Sequence, residues 1–419
     1  MPCENAVLKN YNYKKDKKMV FLSIIFISLY VLPICIIAMI QIAYIKAQNE
    51  VVILNESDFE IAKNYAITMQ IYSIIEAIWS GVLFIFWANL GLHLLLQIIG
   101  VANLTGSAVF GAIFVTAFLA INAIFTLPLD AYKSLIIDKS FGFSKMSAGL
   151  FAVDFLKSFV MTLIFGFVIA FALVWLIENI TFWWVWGFVL MLFVAVGANI
   201  IYPLIIAPIF NKFTPLTNEA LKSSIEGIMQ RVGFKANGIF VMDASKRDGR
   251  LNAYFGGFGK AKRVVLFDTL LSKVSQNELL AILGHELGHF KHKDLLKNIC
   301  IMAFVLFALF FIAGNLPQWL FADFDSSLEG GKNGALTLCV LLLIANLISF
   351  YFMPIINFFS RKAEYKADEF GANLTNKADL RNALAKLVSE NKAFPYSHKI
   401  FVFFYMSHPP LIERLKALE

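Results

Sequence analysis

The chain has 419 residues, of which 59% are hydrophobic and only 16% charged, against about 25% charged in an ordinary soluble domain. A mean hydropathy of +0.71 and 43 phenylalanines exclude a simple soluble globule and indicate a membrane protein, long enough for a multi-span bundle plus a soluble domain. The net charge of +7 does not point to nucleic acid, because the lysines are dispersed between apolar stretches, where basic segments face lipid headgroups.

Seven apolar segments reach the ~20 residues that a membrane-spanning helix needs. They lie near 19–44, 67–90, 108–127, 159–177, 182–206, 299–320 and 336–358. The first follows a lysine cluster but is too long for a signal-peptide core, so it reads as a retained anchor. The fourth and fifth are separated only by Glu178-Asn179-Ile180-Thr181, a tight helical hairpin. Two stretches, 211–298 and 357–419, are mixed and charged. In the first, 221–232 has helical periodicity, 238–242 and 263–267 look like short strands, and 246–262 reads as loop or hairpin. Residues 275–297 are predicted as one helix, with Ser275 and Glu278 as a capping box.

The predicted organisation is a five-span bundle (1–206), a catalytic segment (207–298), two further spans (299–358) and a C-terminal catalytic segment (359–419). This is a mostly α, polytopic membrane protein with a small β element. Two spans separate the two mixed segments, so both lie on one side of the bilayer. Cys3, Cys35, Cys300 and Cys339 form no CxxC pair; the last three lie in apolar stretches and read as small buried hydrophobes.

His285-Glu286-Leu287-Gly288-His289 carries the chemistry. Histidines four apart share one helix face and can each offer an imidazole nitrogen to one Zn²⁺. Glu286 is placed to take a proton from a water at the metal's open position. The bland alternative is a charged helix turn with two unligated histidines.

A catalytic zinc wants a third protein ligand. A third histidine ten residues after His285 is excluded, because that position is Leu295. His292, His398, His408 and a carboxylate beyond the seventh span remain. His292 is disfavoured, since a helix already using 285 and 289 cannot easily wrap a third ligand around the ion. Glu364 is the leading candidate. It lies four residues from Asp368 on one helical face, so Glu364 can bind zinc while Asp368 accepts the second N–H of a ligating histidine. A solvated charged helix end, with Arg361, Lys362 and Lys366 as ordinary company, fits the spacing equally well.

The HELGHFKHKD segment around the two histidines, SRKAEYKAD at 360–368 and SHPPLIERL at 407–415 resemble the integral-membrane zinc metallopeptidases that include the CAAX prenyl protease type 1 enzymes and the HtpX quality-control proteases. Leu127-Pro128 followed by Gly142-Phe143, the stretch from Pro208 to Leu216, and Asn252-Ala253-Tyr254 leading to 263–271 resemble the CAAX type specifically. The resemblance covers almost the whole chain after the first span. It implies a helical barrel around an intramembrane chamber and a zincin-like, gluzincin-type site. Zinc, one ion per chain, would be held by His285, His289 and Glu364, with Glu286 as general base.

Further expectations are less determined. His408 is placed to hydrogen-bond the tetrahedral oxyanion. Arg414 is expected to pair with Asp368 or Glu286. Asn252-Ala253-Tyr254 is expected to be an edge strand that pairs with the substrate backbone. Asp294 and His292 read as the polar end of the helix, and Glu76 as a carboxylate facing a wet cavity. If 275–297 is one helix, the metal lies about 15 Å from the sixth span, and Glu364 about 9 Å from the seventh. A site so near the boundary points to a membrane-associated or lipidated peptide or protein substrate beside the lipid bilayer, with no nucleic acid. The resemblance places the site in the cytosol, of a bacterial inner membrane or an endoplasmic-reticulum type membrane. Lys14, Lys15, Lys17 and Lys18 before the first span favour the opposite sidedness.

The leading reading is a membrane-embedded zinc endopeptidase that trims C-terminal residues after a prenylated cysteine. A broad quality-control protease is the alternative. A transporter or receptor bundle with a structural zinc is the reading from a different class, and it lacks a reason for a base beside the metal.

Overall fold

The computed structural model describes residues 17–100, 104, 107–257, 262–316 and 333–419. Cys3, Lys14 and Lys15, part of the 246–262 loop and the end of the predicted sixth span lie outside them. Among the described residues, seven helices are long and apolar enough to cross a membrane: α1 (Met19–Ala47), α2 (Glu56–Ile99), α3 (Ala108–Ser140), α4 (Ala148–Asn179), α5 (Trp183–Phe210), α8 (Asp294–Gly314) and α9 (Gly334–Leu374). The predicted number holds, and several helices run well beyond their apolar cores. At 1.5 Å per residue α9 is about 60 Å long, twice a hydrocarbon core of about 30 Å. One helix therefore carries both the seventh span and the segment around Glu364 out of the membrane.

Ser and Asn start most of these helices. The side chains of Asn55, Ser107, Ser147 and Asn333 each accept a backbone N–H three residues on, the usual way to satisfy a donor that a helix start leaves free. Between α4 and α5 the chain turns through Phe182, at φ 56, where the sequence predicts the hairpin. Core packing ties Trp87, Phe84 and Phe26 to Phe114 and Phe118, and to Phe310, Leu336 and Phe350. Burial along the spans falls from 39% in α2 to 6% in α5 and α8. Those two helices are the least buried of the candidate spans.

The soluble part is built on a small sheet. Strands β1 (Phe213–Pro215), β2 (Ile239–Met242), β3 (Ala253–Gly256) and β4 (Arg263–Phe267) are ordered β1-β2-β4-β3. Strands β2 and β4, both predicted, pair in parallel, Ile239 opposite Val264. A parallel pair cannot be closed by a tight turn, so the chain from β2 to β4 is a crossover, and the hairpin expected in 246–262 is made between its second half and β4. That half contains β3, which pairs antiparallel with β4 and forms the sheet edge. Side chains alternate along β4. Val264 and Leu266 pack with Leu283 and Leu287 beneath the sheet, and Val265 packs with Met242 on the other face.

The crossover is fastened to the membrane helices. Arg247 grips Asp154 of α4 with contacts of 2.7 and 3.0 Å. Arg250 reaches Asp138 of α3 at 2.9 Å and the Tyr65 hydroxyl of α2 at 2.7 Å. Helix α6 (Glu219–Val232) and the helix bearing the histidines, α7 (Gln276–Lys291), cover one face. The chain closes with α10 (Lys377–Glu390), α11 (Lys399–Tyr405) and α12 (Leu411–Ala417).

Three expectations need correction. Residues 275–297 are not one helix: α7 ends at Lys291, and Lys293 takes φ 56 before α8 begins at Asp294. Cys300 is exposed, not buried, whereas Cys339 is buried and Cys35 half-buried. Asp294 is only 4% exposed, so it is no solvated helix end. Glu76 is exposed and hydrogen-bonds with Tyr72.

Candidate active site

Helix α7 begins at the capping box expected from its sequence. The Ser275 hydroxyl accepts the Glu278 N–H at 3.3 Å, and Glu278 accepts the Ser275 N–H at 2.7 Å. Each of its two histidines follows a glycine. A Cβ built on Gly288 would lie 2.9 Å from the Ala367 Cα, so only a residue without a side chain lets α7 approach α9 this closely. That approach carries His285 and His289 onto the face of α9 that bears Glu364 and Asp368.

Nitrogens and a carboxylate then converge. His285 Nε2 and His289 Nε2 are 3.2 Å apart. Glu364 lies 3.5 Å from the first and 3.4 Å from the second. The outer nitrogens are tied back: His285 Nδ1 to Asp368 at 2.8 Å and His289 Nδ1 to Asp294 at 3.0 Å. Donation from both Nδ1 atoms fixes the tautomers and leaves two Nε2 lone pairs facing each other and a carboxylate. Glu364 Oε2 is buried without a hydrogen-bond partner. Electron-rich atoms so arranged repel one another unless a cation lies between them, and the donor set fits a metal ion with an open position. Burial alone would lower the pKa of His289, but Glu364 and Asp294 outweigh it and raise it to about 9; the site draws positive charge.

Around this core the supports are charged and buried. Arg414 forks onto Asp368 with two contacts of 2.7 Å and stands 3.4 Å from Glu364. Of the two expected partners it takes Asp368. Arg361 is no solvated helix end: it donates to the Val402 and Met406 carbonyls at 2.8 and 2.7 Å. It thereby pins the end of α11 and the loop that presents His408. His408 Nε2 lies 3.2 Å from Glu364, with its ring exposed to the cleft. Burial pushes the Glu286 carboxyl above the usual glutamate range, against the pull of the two histidines and Arg414.

The other candidates separate from the site. His398 caps α11, accepting from Ile400. His292 packs edge-on against Phe370, and the metal-competent group of described residues contains only His285, His289 and Glu364. Ala253 and Tyr254 lie in the edge strand, and Asn252 immediately precedes it. Asn252 folds its side chain onto the Ala253 N–H at 2.8 Å. Ala253 is buried, so it has only backbone to offer, and Tyr254 lines a cavity of about 580 Å³ with Asn252. Asp294 was missed by sequence reasoning. The available signal was an acidic residue at the first turn of the helix that follows the second histidine. Its approach to His289 depends on the break at Lys293, which no helical spacing encodes.

Comparison with known proteins gives a consistent picture. Residues 215–419 match the model of peptidase family M48, and residues 41–212 match one described as the CAAX prenyl protease N-terminal, five membrane helices. The chain is 33% identical over 342 residues to the CAAX prenyl protease 1 homolog of Homo sapiens, covering 71% of each. It is 31% identical over 418 residues to that of Taenia solium, covering 88% of this chain and 87% of that one. It is 32% identical over 318 residues to CAAX prenyl protease 1 of Saccharomyces cerevisiae, covering 72% and 70%. The crystal structure of S. mikatae Ste24p superposes with a TM-score of 0.86 at 25% identity, covering 96% of this chain and 98% of that one.

Proposed function

This chain belongs to the CAAX prenyl protease 1 branch of peptidase family M48, as a multi-pass membrane metalloprotease, and on that premise we propose that it cuts the peptide bond after a prenylated cysteine near the C-terminus of a membrane-attached protein. The carrying observation is the convergence of His285, His289 and Glu364 beside Glu286. Two imidazoles and one carboxylate are the donor set of a catalytic zinc with one position open. Zinc is the ion in this reading. The division into segments at 206, 298 and 358 and a cytosolic face for the site belong to it as well.

Bound there, zinc supplies Lewis-acid polarisation of the scissile carbonyl and the attacking water. The rest falls to the chain's own groups. Glu286, its proton affinity raised by burial, takes the proton of the attacking water and passes it to the leaving amine nitrogen. His408, on the same side as Glu364, donates a hydrogen bond to the developing oxyanion. Asp368 and Asp294 orient the two imidazoles, and Arg414 holds Asp368 in place. The edge of β3 offers backbone groups to an extended substrate.

The test compares wild type with Glu286→Gln in detergent, on farnesylated and unprenylated forms of one CAAX peptide, with metal content measured. Wild type should cut the farnesylated peptide preferentially. Glu286→Gln should retain one zinc and lose roughly 10²–10⁴-fold in rate, the usual worth of a general base. Equal cutting of both peptides would favour a broad quality-control protease. Full activity in Glu286→Gln would end the mechanism.

A further inference from the structure

The floor of one cavity is the site itself. It measures about 410 Å³, within the roughly 300–1,000 Å³ of pockets that enclose a small ligand. Glu286 and His289 form its floor, and Phe234, Phe255, Phe290, Leu295 and Leu296 its wall. The aromatic part is preformed. Phe234 meets Phe290 edge-on at 4.7 Å and Phe255 at 4.9 Å, the edge-to-face arrangement that aromatic pairs favour. Leu295 and Leu296 stand in the first turn of α8, the sixth candidate span, and Leu296 is 57% exposed. The cavity is therefore mostly apolar, reaches the first turn of a candidate membrane span and ends on Glu286.

The direction of the substrate follows from the sheet. β3 is the edge strand, and antiparallel pairing is the more stable way to extend an edge. A substrate added antiparallel to β3 runs from the Gly256 end towards Ala253. The part N-terminal to the scissile bond then lies beside Phe255 and Gly256, where the two cavities meet and the first one alone reaches Glu286 and Phe290. The part C-terminal to it lies towards Asn252 and the second cavity.

We propose that the first cavity receives the isoprenoid chain of the substrate's modified cysteine, threaded from the membrane between Leu296 and the Phe234–Phe290 pair. Phe255, Phe290 and Leu296 then set the preference for a prenyl thioether over a bare cysteine. The proposal rests on the function proposed above and deepens it. Two lysines at the rim define the rival occupant. Lys262 stands over the Phe290 ring at 4.3 Å, and Lys293 lines the same cavity. A cavity that held the substrate's C-terminal residues would use these two ammonium groups to bind the terminal carboxylate.

The first experiment uses Glu286→Gln protein in detergent with a CAAX peptide whose farnesyl chain ends in a diazirine. After irradiation, the label should fall on peptides containing Phe234, Phe255 or 290–296. Label confined to α1–α4, or spread without preference, overturns the proposal. The second measures the kcat/KM ratio of farnesylated to S-methylated peptide. Leu296→Trp, which fills the exposed mouth without entering the core, should lower that ratio at least tenfold relative to wild type. An unchanged ratio overturns the proposal. So does a result in which Leu296→Trp or Lys262→Gln instead alters discrimination between a free C-terminal carboxylate and a carboxamide, because that places the C-terminal residues in this cavity. If wild type cuts neither peptide, the proposed function fails, and the labelling still reports whether the cavity takes the chain.

Discussion

Gly371 of α9 sits so close to His285 of α7 that a Cβ on it would lie 2.7 Å from the His285 backbone nitrogen and 2.9 Å from its Cα. The two helices meet backbone to backbone here, and the metal-competent cluster exists because they do. Gly371→Ala should push α7 off α9. Overpacking a tight contact costs about 1–3 kcal/mol, and the same shift separates His285 from Glu364. A lowered melting temperature together with reduced zinc content is the expected result. Unchanged zinc binding would mean that the interface yields without moving the ligands.

Asp294 should matter as much as Asp368. It holds His289 Nδ1 at 3.0 Å as Asp368 holds His285 Nδ1 at 2.8 Å. Partners of this kind typically account for 10–100-fold in metal affinity. Chelator competition with Asp294→Asn should show a loss of that order, and Asp368→Asn a similar one. If Asp294→Asn binds zinc like wild type, Asp294 serves only the start of α8, where it also meets Lys297 at 2.8 Å.

Stability should depend on pH through Glu278. Burial alone would push this carboxyl up. Its hydrogen bonds from Ser275 and the ammonium of Lys386 outweigh that and hold it below the usual glutamate range. A carboxyl with a depressed folded pKa stabilises the fold fully above its unfolded value of about 4.3 and loses that contribution as pH falls through the lower folded value. Glu278→Gln should therefore cost about 1 kcal/mol at pH 7, the worth of a helix cap, and the gap to wild type should close in strong acid. Thermal melts of both proteins at pH 7 and at successively lower pH give the comparison. A gap that persists once the carboxyl is fully protonated would assign it to packing instead of charge.

The crossover before β3 should loosen when Arg250 is removed. Its guanidinium joins Asp138 and Tyr65 and lies 4.5 Å from the Phe143 ring centroid. Hydrogen bonds to charged groups are worth about 1.5–3 kcal/mol, so Arg250→Ala should lower stability by that order and expose 243–252 to limited proteolysis. Arg250→Lys keeps the charge but not the fork and should restore only part. Unaltered proteolysis would show that Arg247 and Asp154 hold the crossover unaided.

Much of this was legible in one dimension. The number of spans follows from apolar length, because a bilayer of fixed thickness demands about 20 apolar residues per crossing. The position of His285 and His289 on one face follows from helical period, and the cap at Ser275 from a local exchange of hydrogen bonds. Glu364 with Asp368 was visible as a spacing, and it stood out from other charged helix faces through the family resemblance.

What the sequence by itself determined is whatever repeats or closes within a few residues: the spans, the histidine helix, its cap and the strands β2 and β4. Tertiary structure alone decided the parallel pairing of those strands, the turn at Lys293 that brings Asp294 to His289, and the choice of Asp368 by Arg414. These contacts join residues far apart in the chain, or depend on one unusual backbone angle, and neither helical nor strand periodicity carries that information. The glycines at 284, 288 and 371 show the reason most plainly. In sequence they look like weak points in two helices; in space they are where the helices touch.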